Sequence, residues 1–249
     1  MQISRNDIDV LKFYDDFGVD ESCGDEPFKF FSESACIFEK KTFDVVKKNS
    51  ENVSVLKAKQ VADELVSGVE SLGDLQKIIS EFSLNLLSKF ASHGIYGVGV
   101  ESPELLVITE MPNAEEDRSG VALSGDTGEL LKKILKAINS SVETNVYTFP
   151  ASPFRAPGAR MPTFEEMEIS VPFIKKFIEL LKPKVILSMG SVPTDVLLGH
   201  SEPITVVRGK WFEYNGVPVM PTFALSYLLN NVEAKKKTWA DLQLLVQKL

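Results

Sequence analysis

From about residue 95 onward, short apolar runs alternate with longer stretches whose apolar positions recur every three or four residues. "LLVIT" (105–109), "NVYTF" (145–149), "KVILSMG" (184–190) and "VPVMPTF" (217–223) are the short runs. Such runs suit strands buried on both faces, because both sides of the pleat must then be apolar. Between them lie the helical patterns "GELLKKILKAINS" (128–140), "TFEEMEISVPFIKKFIELLK" (163–182) and "SVPTDVLLG" (191–199), and a Lys-, Leu- and Val-rich helix closes the chain. The second pattern carries its own start signal, a Thr cap with Glu165 and Glu166 in the first turn, where carboxylates meet the positive end of the helix. The alternation predicts an α/β fold, a parallel sheet covered by helices on both faces. Ligands in such sheets bind beyond the C-terminal strand ends, which brings the loops 109–125, 149–163 and 222–231 together.

Ahead of this region the pattern is weaker. Residues 7–18, "DIDVLKFYDDFG", place Ile8, Leu11, Tyr14 and Phe17 at helical spacing before a Gly stop. Residues 19–54 mix charges with little periodicity and read as a linker with at most a short helix. Helical spacing returns in "LKAKQVADELVSGV" (56–69) and in "LGDLQKIISEFSLNLLSKFA" (72–91), the latter opened by the cap-like Ser71 and Asp74. The expected division is an N-terminal helix and variable linker over 1–54 and a main domain over 55–249.

Composition narrows the function. No apolar run reaches the roughly 18 residues of a membrane span, and the N-terminus lacks the basic, apolar and small-residue segments of a signal peptide; a cytoplasmic protein is expected, with no membrane partner. Cys23 and Cys36 are too few for a Cys-only zinc or iron–sulfur site. His93 and His200 show no ligand spacing, so no metal and no cofactor are expected. The net charge of −8 is uneven: residues 150–249 carry 12 Lys and Arg against 9 Asp and Glu, and the acidic excess lies in residues 1–149. A locally basic face can bind phosphate on an acidic protein, because the field near a cleft follows local charges.

The stretch "SPFRAPGARMPTFEE" (152–166) is where chemistry concentrates. Its prolines forbid regular structure over most of its length, and its two arginines suit an anion. Together with its neighbours it resembles the type-4 uracil-DNA glycosylases and their bacterial relatives. "VITEMPNAEEDRSGVAL" resembles that family's first motif, V-G-E-x-P-G-x-x-E-D-x-x-G-x-P-F. "NVYTFPASPFRAPGARMPT" resembles V-Y-x-T-N-x-x-P-W-R-P-P-G-N-R-x-P-T, and three later segments follow in order, so that the likeness spans about residues 55–249. The resemblance implies a three-layer α/β/α sandwich around a four-stranded parallel sheet, and the task of flipping a damaged base from DNA and hydrolysing its glycosidic bond. DNA is then the expected partner, bound in a salt-dependent way through Arg155, Gly158, Arg160, Arg208, Lys210 and Ser226.

The departures from the family fall on its chemistry. The histidine that stabilises charge on the leaving uracil is replaced, because "TFALSYLL" has Ala224 and Leu225 where the family has His-Pro. The uracil-reading asparagine is Pro150, the stacking phenylalanine is Leu123, and two motif glycines are Thr109 and Asn113, whose Cβ atoms crowd the approach to a base. Pro112, Asn113, Leu123, Pro150, Ala224 and Leu225 are the expected base pocket. Glu110, Glu116 and Asp117 remain as catalytic candidates able to position water. Asn85, Ser170 and the pair Ser152–Pro153 stand near or at places where cluster-bearing members carry cysteine or Lys-Cys. Three functions stay open: a glycosylase-like DNA-binding or damage-sensing protein impaired on uracil, an active glycosylase of altered specificity using a loop carboxylate, and a protein-interaction module without DNA activity.

Overall fold

The computed structural model describes residues 43–199 and 202–249, with side chains from residue 55 onward. The expected helix over 7–18, Cys23, Cys36 and His200 lie outside these residues. The first described helix, α1 (Phe43–Val66), begins within the stretch expected to be a linker. No Gly or Pro interrupts it, and Ala58, Ala62 and Val66, four residues apart, all bury the same face. That stripe lies within the run 56–69 expected to be helical; the mixed charges of residues 43–55 hid how far the helix extends toward the N-terminus.

The pattern over 72–91 divides in two. Helix α2 (Leu72–Glu81) starts at Ser71, whose side chain accepts the Asp74 N–H at 3.1 Å. It stops at Phe82, which is extended, and a 3₁₀ turn (Leu86–Lys89) follows with the Asn85 side chain accepting from Leu87 N–H. A side-chain cap at Asn85 gives the backbone a second start and so breaks the run.

Four strands form the expected parallel core: β2 (Leu105–Thr109), β3 (Val146–Pro150), β4 (Val185–Met189) and β6 (Val217–Thr222), in the order β3-β2-β4-β6. The sheet is mixed rather than purely parallel. The short strands β1 (Val98–Gly99) and β5 (Phe212–Tyr214) add antiparallel edges beside β3 and β6. At two and three residues they are too short to leave a periodic signature.

Alternation along β2 shows why both faces are covered. Leu106 and Ile108 pack in one core with Ala62, Leu75 and Phe177, from α1, α2 and α5 (Phe164–Leu181). Leu105 and Val107 point the other way, into a second core with Leu131, Leu228 and Leu242. These come from α4 (Gly125–Ala137), α8 (Leu225–Asn230) and α9 (Val232–Val246). Each fully buried Leu or Ile contributes about 1.5–3 kcal/mol relative to exposure, so two facing cores fix a three-layer α/β/α sandwich. Helix α6 (Ser191–Leu198) follows β4 and buries Val192 and Leu197 in the first core, while the short helices α3 (Ala114–Ser119) and α7 (Ile204–Val207) lie in the connections after β2 and before β5. Among the described residues no helix is long and apolar enough to cross a membrane.

Candidate active site

Beyond the C-terminal ends of β2 and β3 the three expected loops enclose a cavity of about 220 Å³. That is below the roughly 300–1,000 Å³ of drug-sized sites. Glu110, Pro112, Asn113, Glu116, Leu123, Pro150 and Leu225, candidates for the base pocket or its chemistry, line it, and so do Arg155 and Ser226, which were expected to contact DNA. Asp117, Ala224, Gly158, Arg160, Arg208 and Lys210 do not.

The loop after β2 is organised by hydrogen bonds. Asn113 caps α3: its Oδ1 accepts the Glu115 and Glu116 N–H groups at 2.8 and 2.9 Å. Its Nδ2 donates to the Ser124 carbonyl and the Thr127 hydroxyl, both at 2.7 Å. Glu116 completes a capping box by accepting the Asn113 N–H at 2.9 Å, and its other oxygen accepts the Leu123 N–H at 2.8 Å. Asn113, expected only to crowd a base, is therefore the organiser of this loop. The spacing of Asn113 and Glu116 in "NAEE" was the legible signal. Leu123 is buried with φ of 60°, in the left-handed region that costs a branched residue about 1–2 kcal/mol. The bond to Glu116 offsets that strain.

The two cavity carboxylates differ. Glu110 follows the last residue of β2 and reaches the start of α6, where its Oε1 accepts the Ser191 N–H at 3.2 Å. Gly190, at φ of 111°, makes room, since a Cβ there would lie 2.3 Å from the Glu110 Oε1. Burial pushes the Glu110 carboxyl up to about 7, against the opposing pull of the Ser191 and Val192 N–H groups. Burial also raises Glu116, opposed by its two backbone donors and by the Arg155 charge. A carboxyl poised near neutrality is suited to general-base work, whereas Glu116 is engaged at both oxygens. Asp117 departs from its expected role: its carboxylate accepts the Ser92 N–H at 2.8 Å and the His93 N–H at 3.4 Å, tying two loops together outside the cavity.

The arginines separate as well. Arg155, expected to meet a DNA backbone, lines the cavity and donates to the Pro112 carbonyl at 3.1 Å. Arg160 is exposed and forks onto Glu166 at 2.8 and 2.6 Å. Gly158 sits beside it at φ of 64° in open space. Arg208, also expected to face DNA, is instead held by Asp241, by the Lys237 carbonyl at 2.5 Å and by the face of Phe223 at 5.2 Å. Asp241 also accepts from the Thr222 hydroxyl at 2.7 Å, so Arg208 secures the end of β6. Lys210 is exposed, two residues before β5.

Pro150 ends β3 in register with Thr109. Proline has no N–H to give, and the next residues take over: Ala151 donates to the Thr109 carbonyl at 2.8 Å and Ser152 to the Glu110 carbonyl at 3.0 Å. Ala224 is the N-cap of α8 and makes no side-chain cap bond; Leu225, next to it, is buried. The residues at the cluster positions do not fit an iron–sulfur group, which takes thiolates. Asn85 accepts from Leu87 N–H, the Pro153 carbonyl accepts from Ile95 N–H at 2.9 Å, and the Ser170 hydroxyl is buried without a partner among the described residues.

A buried parallel core, a small cavity at its strand ends and a carboxylate-bearing loop after β2 all fall in the part of the chain that a known family matches. Residues 96–243 match the model of the uracil DNA glycosylase superfamily, and the chain belongs to that superfamily. It is 33% identical over 139 residues to a type-4 uracil-DNA glycosylase of Thermotoga maritima, covering 55% of this chain and 72% of that protein. It is 25% identical over 176 residues to the type-4 enzyme of Sulfurisphaera tokodaii, covering 68% and 80%. A DNA polymerase of Bacillus phage SP01 is 26% identical over 167 residues, which cover 67% of this chain and 18% of the polymerase.

Proposed function

We propose that the protein binds DNA and takes an extrahelical base into the cavity, and that it releases uracil far more slowly than a repair glycosylase. The observation that carries this reading is the pairing of an open cavity with Pro150 and Leu225 in its wall and Ala224 beside them. Cleaving a glycosidic bond sends the bonding electrons onto the base. A methyl group at Ala224 cannot donate to the oxygen that receives them. Removing one such donor costs roughly 10²–10³ in rate. Pro150 brings neither a side-chain amide nor an N–H to read the uracil edge.

DNA enters the proposal through the superfamily and through the basic C-terminal half. Arg160 and Lys210 are exposed and Arg155 lines the cavity, and the proposal assigns phosphate contacts to these three. A second reading is favoured by Glu110 alone: a half-buried carboxyl near neutrality, at a cavity wall, can take a proton from water adding to the sugar C1′, in a glycosylase of altered specificity.

One pair of assays separates these readings. Fluorescence anisotropy across a salt series should show DNA binding that weakens with salt; no binding at low salt would leave the protein-interaction role. Single-turnover release from oligonucleotides carrying uracil, hypoxanthine, xanthine or mismatched thymine should give little or no product. Efficient release of one base other than uracil, lost in Glu110→Gln, would establish the second reading.

A further inference from the structure

We infer that Arg155 and Thr148 are the specificity-determining residues of the cavity, the two donors that hold a base by its carbonyl oxygens. The inference rests on the reading that the cavity takes a base at all, and it gives Arg155 a duty beyond a phosphate contact.

The side-chain acceptors in the wall are engaged. Glu116 accepts the Asn113 and Leu123 N–H groups. Glu110 is met at the start of α6 by the Ser191 N–H, the Val192 N–H and the Ser191 side chain. The Asn113 amide is engaged at both ends.

Donors remain. A guanidinium only donates, and among the described residues Arg155 makes one side-chain hydrogen bond, to the Pro112 carbonyl at 3.1 Å. Pro112 and Glu116 both line the cavity, and the Arg155 charge acts on Glu116. The guanidinium therefore lies at the cavity wall with most of its N–H groups unassigned. Its mount is firm: Phe154 and Ala156 on either side are buried with Leu87, and the Phe154 carbonyl accepts from the Ser152 hydroxyl at 2.9 Å.

Thr148 stands opposite Val107 in the β2–β3 register, so it faces the side of the sheet where Leu131 and the cavity lie. The residue is 4% exposed, and its hydroxyl has no partner among the described residues. Unlike the Ser170 hydroxyl it is not sealed in, and the cavity that Thr148 lines is what opens onto it. A buried hydroxyl in that setting takes its partner from whatever fills the cavity.

Uracil presents two carbonyl oxygens that a guanidinium and a hydroxyl can meet. Ile95, Leu123, Phe149 and Leu225 supply an apolar wall that holds the ring without reading it. Contacts made to the neutral base and kept as it departs add affinity more than rate, which agrees with the slow release proposed above.

The test compares the affinity of the full chain, by anisotropy at one salt concentration, for paired duplex and for duplexes with one bulged uracil or one bulged 2,4-difluorobenzene. The latter is an apolar isostere in which fluorine replaces each carbonyl oxygen. The uracil bulge should bind about tenfold or more tighter than the isostere bulge. Arg155→Lys keeps the charge and loses the fork, so the preference should fall to within about threefold while paired duplex binds nearly as before. Thr148→Val should weaken the preference about threefold or more without lowering the urea midpoint, because no protein group loses a partner. An Arg155→Lys variant that weakens all three DNAs by one factor, with the preference intact, would make Arg155 a phosphate contact only and overturn the inference. A parent that binds both bulges equally, and more tightly than paired duplex, would also overturn it and leave base capture standing. No preference for any bulge over paired duplex would overturn both.

Discussion

The loops after β2 and after β6 border the same cavity and are held in opposite ways. The first is a polar lattice, in which Asn113 and Glu116 together satisfy four backbone N–H groups. The second rests on apolar packing: Leu225 and Leu228 are buried, Phe223 lies 5.2 Å from the Tyr227 ring, and Ala224 offers α8 no side-chain cap. Its polar support lies beneath it, in the Arg208–Asp241–Thr222 cluster. The contrast is between a region that puts carboxylates into the cavity wall and one that puts there only Leu225 and the Ser226 hydroxyl. Shape needs only backbone satisfaction and burial, whereas charge stabilisation needs a particular atom in a particular place.

The largest expected effect comes from restoring that atom. Pro150→Asn combined with Ala224→His should raise uracil release by about 100-fold or more over the parent. An unchanged rate in a variant that folds and binds DNA as the parent does would mean that the β6 loop was not the limiting region.

Next comes the lattice itself. Glu116→Ala leaves the Asn113 and Leu123 N–H groups without their acceptor and should cost about 2–3 kcal/mol in urea unfolding, whereas Ser226→Ala on the other loop should stay within about 0.5 kcal/mol. Equal costs would erase the contrast between the loops.

Glu110 gives a pH signature. Its folded pKa, about 7, lies above the ordinary carboxylate value of 4.5. The folded state therefore binds the proton more tightly. This contribution to stability is fully present below the unfolded value and is lost as pH rises to about 7. Glu110→Gln should gain stability over the parent by roughly 2 kcal/mol between pH 5 and pH 8, read by denaturant midpoints. A variant-to-parent difference that is flat across that range would place Glu110 in a more solvated setting.

The smallest effect concerns the Pro-rich loop. Arg160→Ala should reduce the magnitude of the salt slope of DNA binding by about 1. Arg208→Ala should leave the slope nearly unchanged and lower stability instead, because Asp241 would be left buried and unpaired. A slope that changes for Arg208→Ala and not for Arg160→Ala would reverse the assignment.

The four core strands were legible because each is apolar on both faces, and the cavity followed from where those strands end. What was not legible has physical causes. The edge strands are too brief to show a period, and the mixed charges of residues 43–55 hid the start of α1. The inward turn of Arg155 and the engagement of Arg208 by Asp241 depend on partners 43 and 33 residues away in sequence. A basic residue on a loop shows its charge in the sequence, but not the carbonyl or carboxylate that claims it. The capping role of Asn113 was local and could have been read from Glu116 three residues on.

The central claim is that the fold and cavity persist while the uracil chemistry does not. Single-turnover uracil release by the unaltered protein, with enzyme in excess over a uracil-containing single strand that it demonstrably binds, tests this most directly. The account predicts release slower than that of a type-4 enzyme assayed alongside by at least roughly 10²-fold. A rate matching that enzyme would contradict it, and would mean that another group in the cavity wall does the work of the absent histidine.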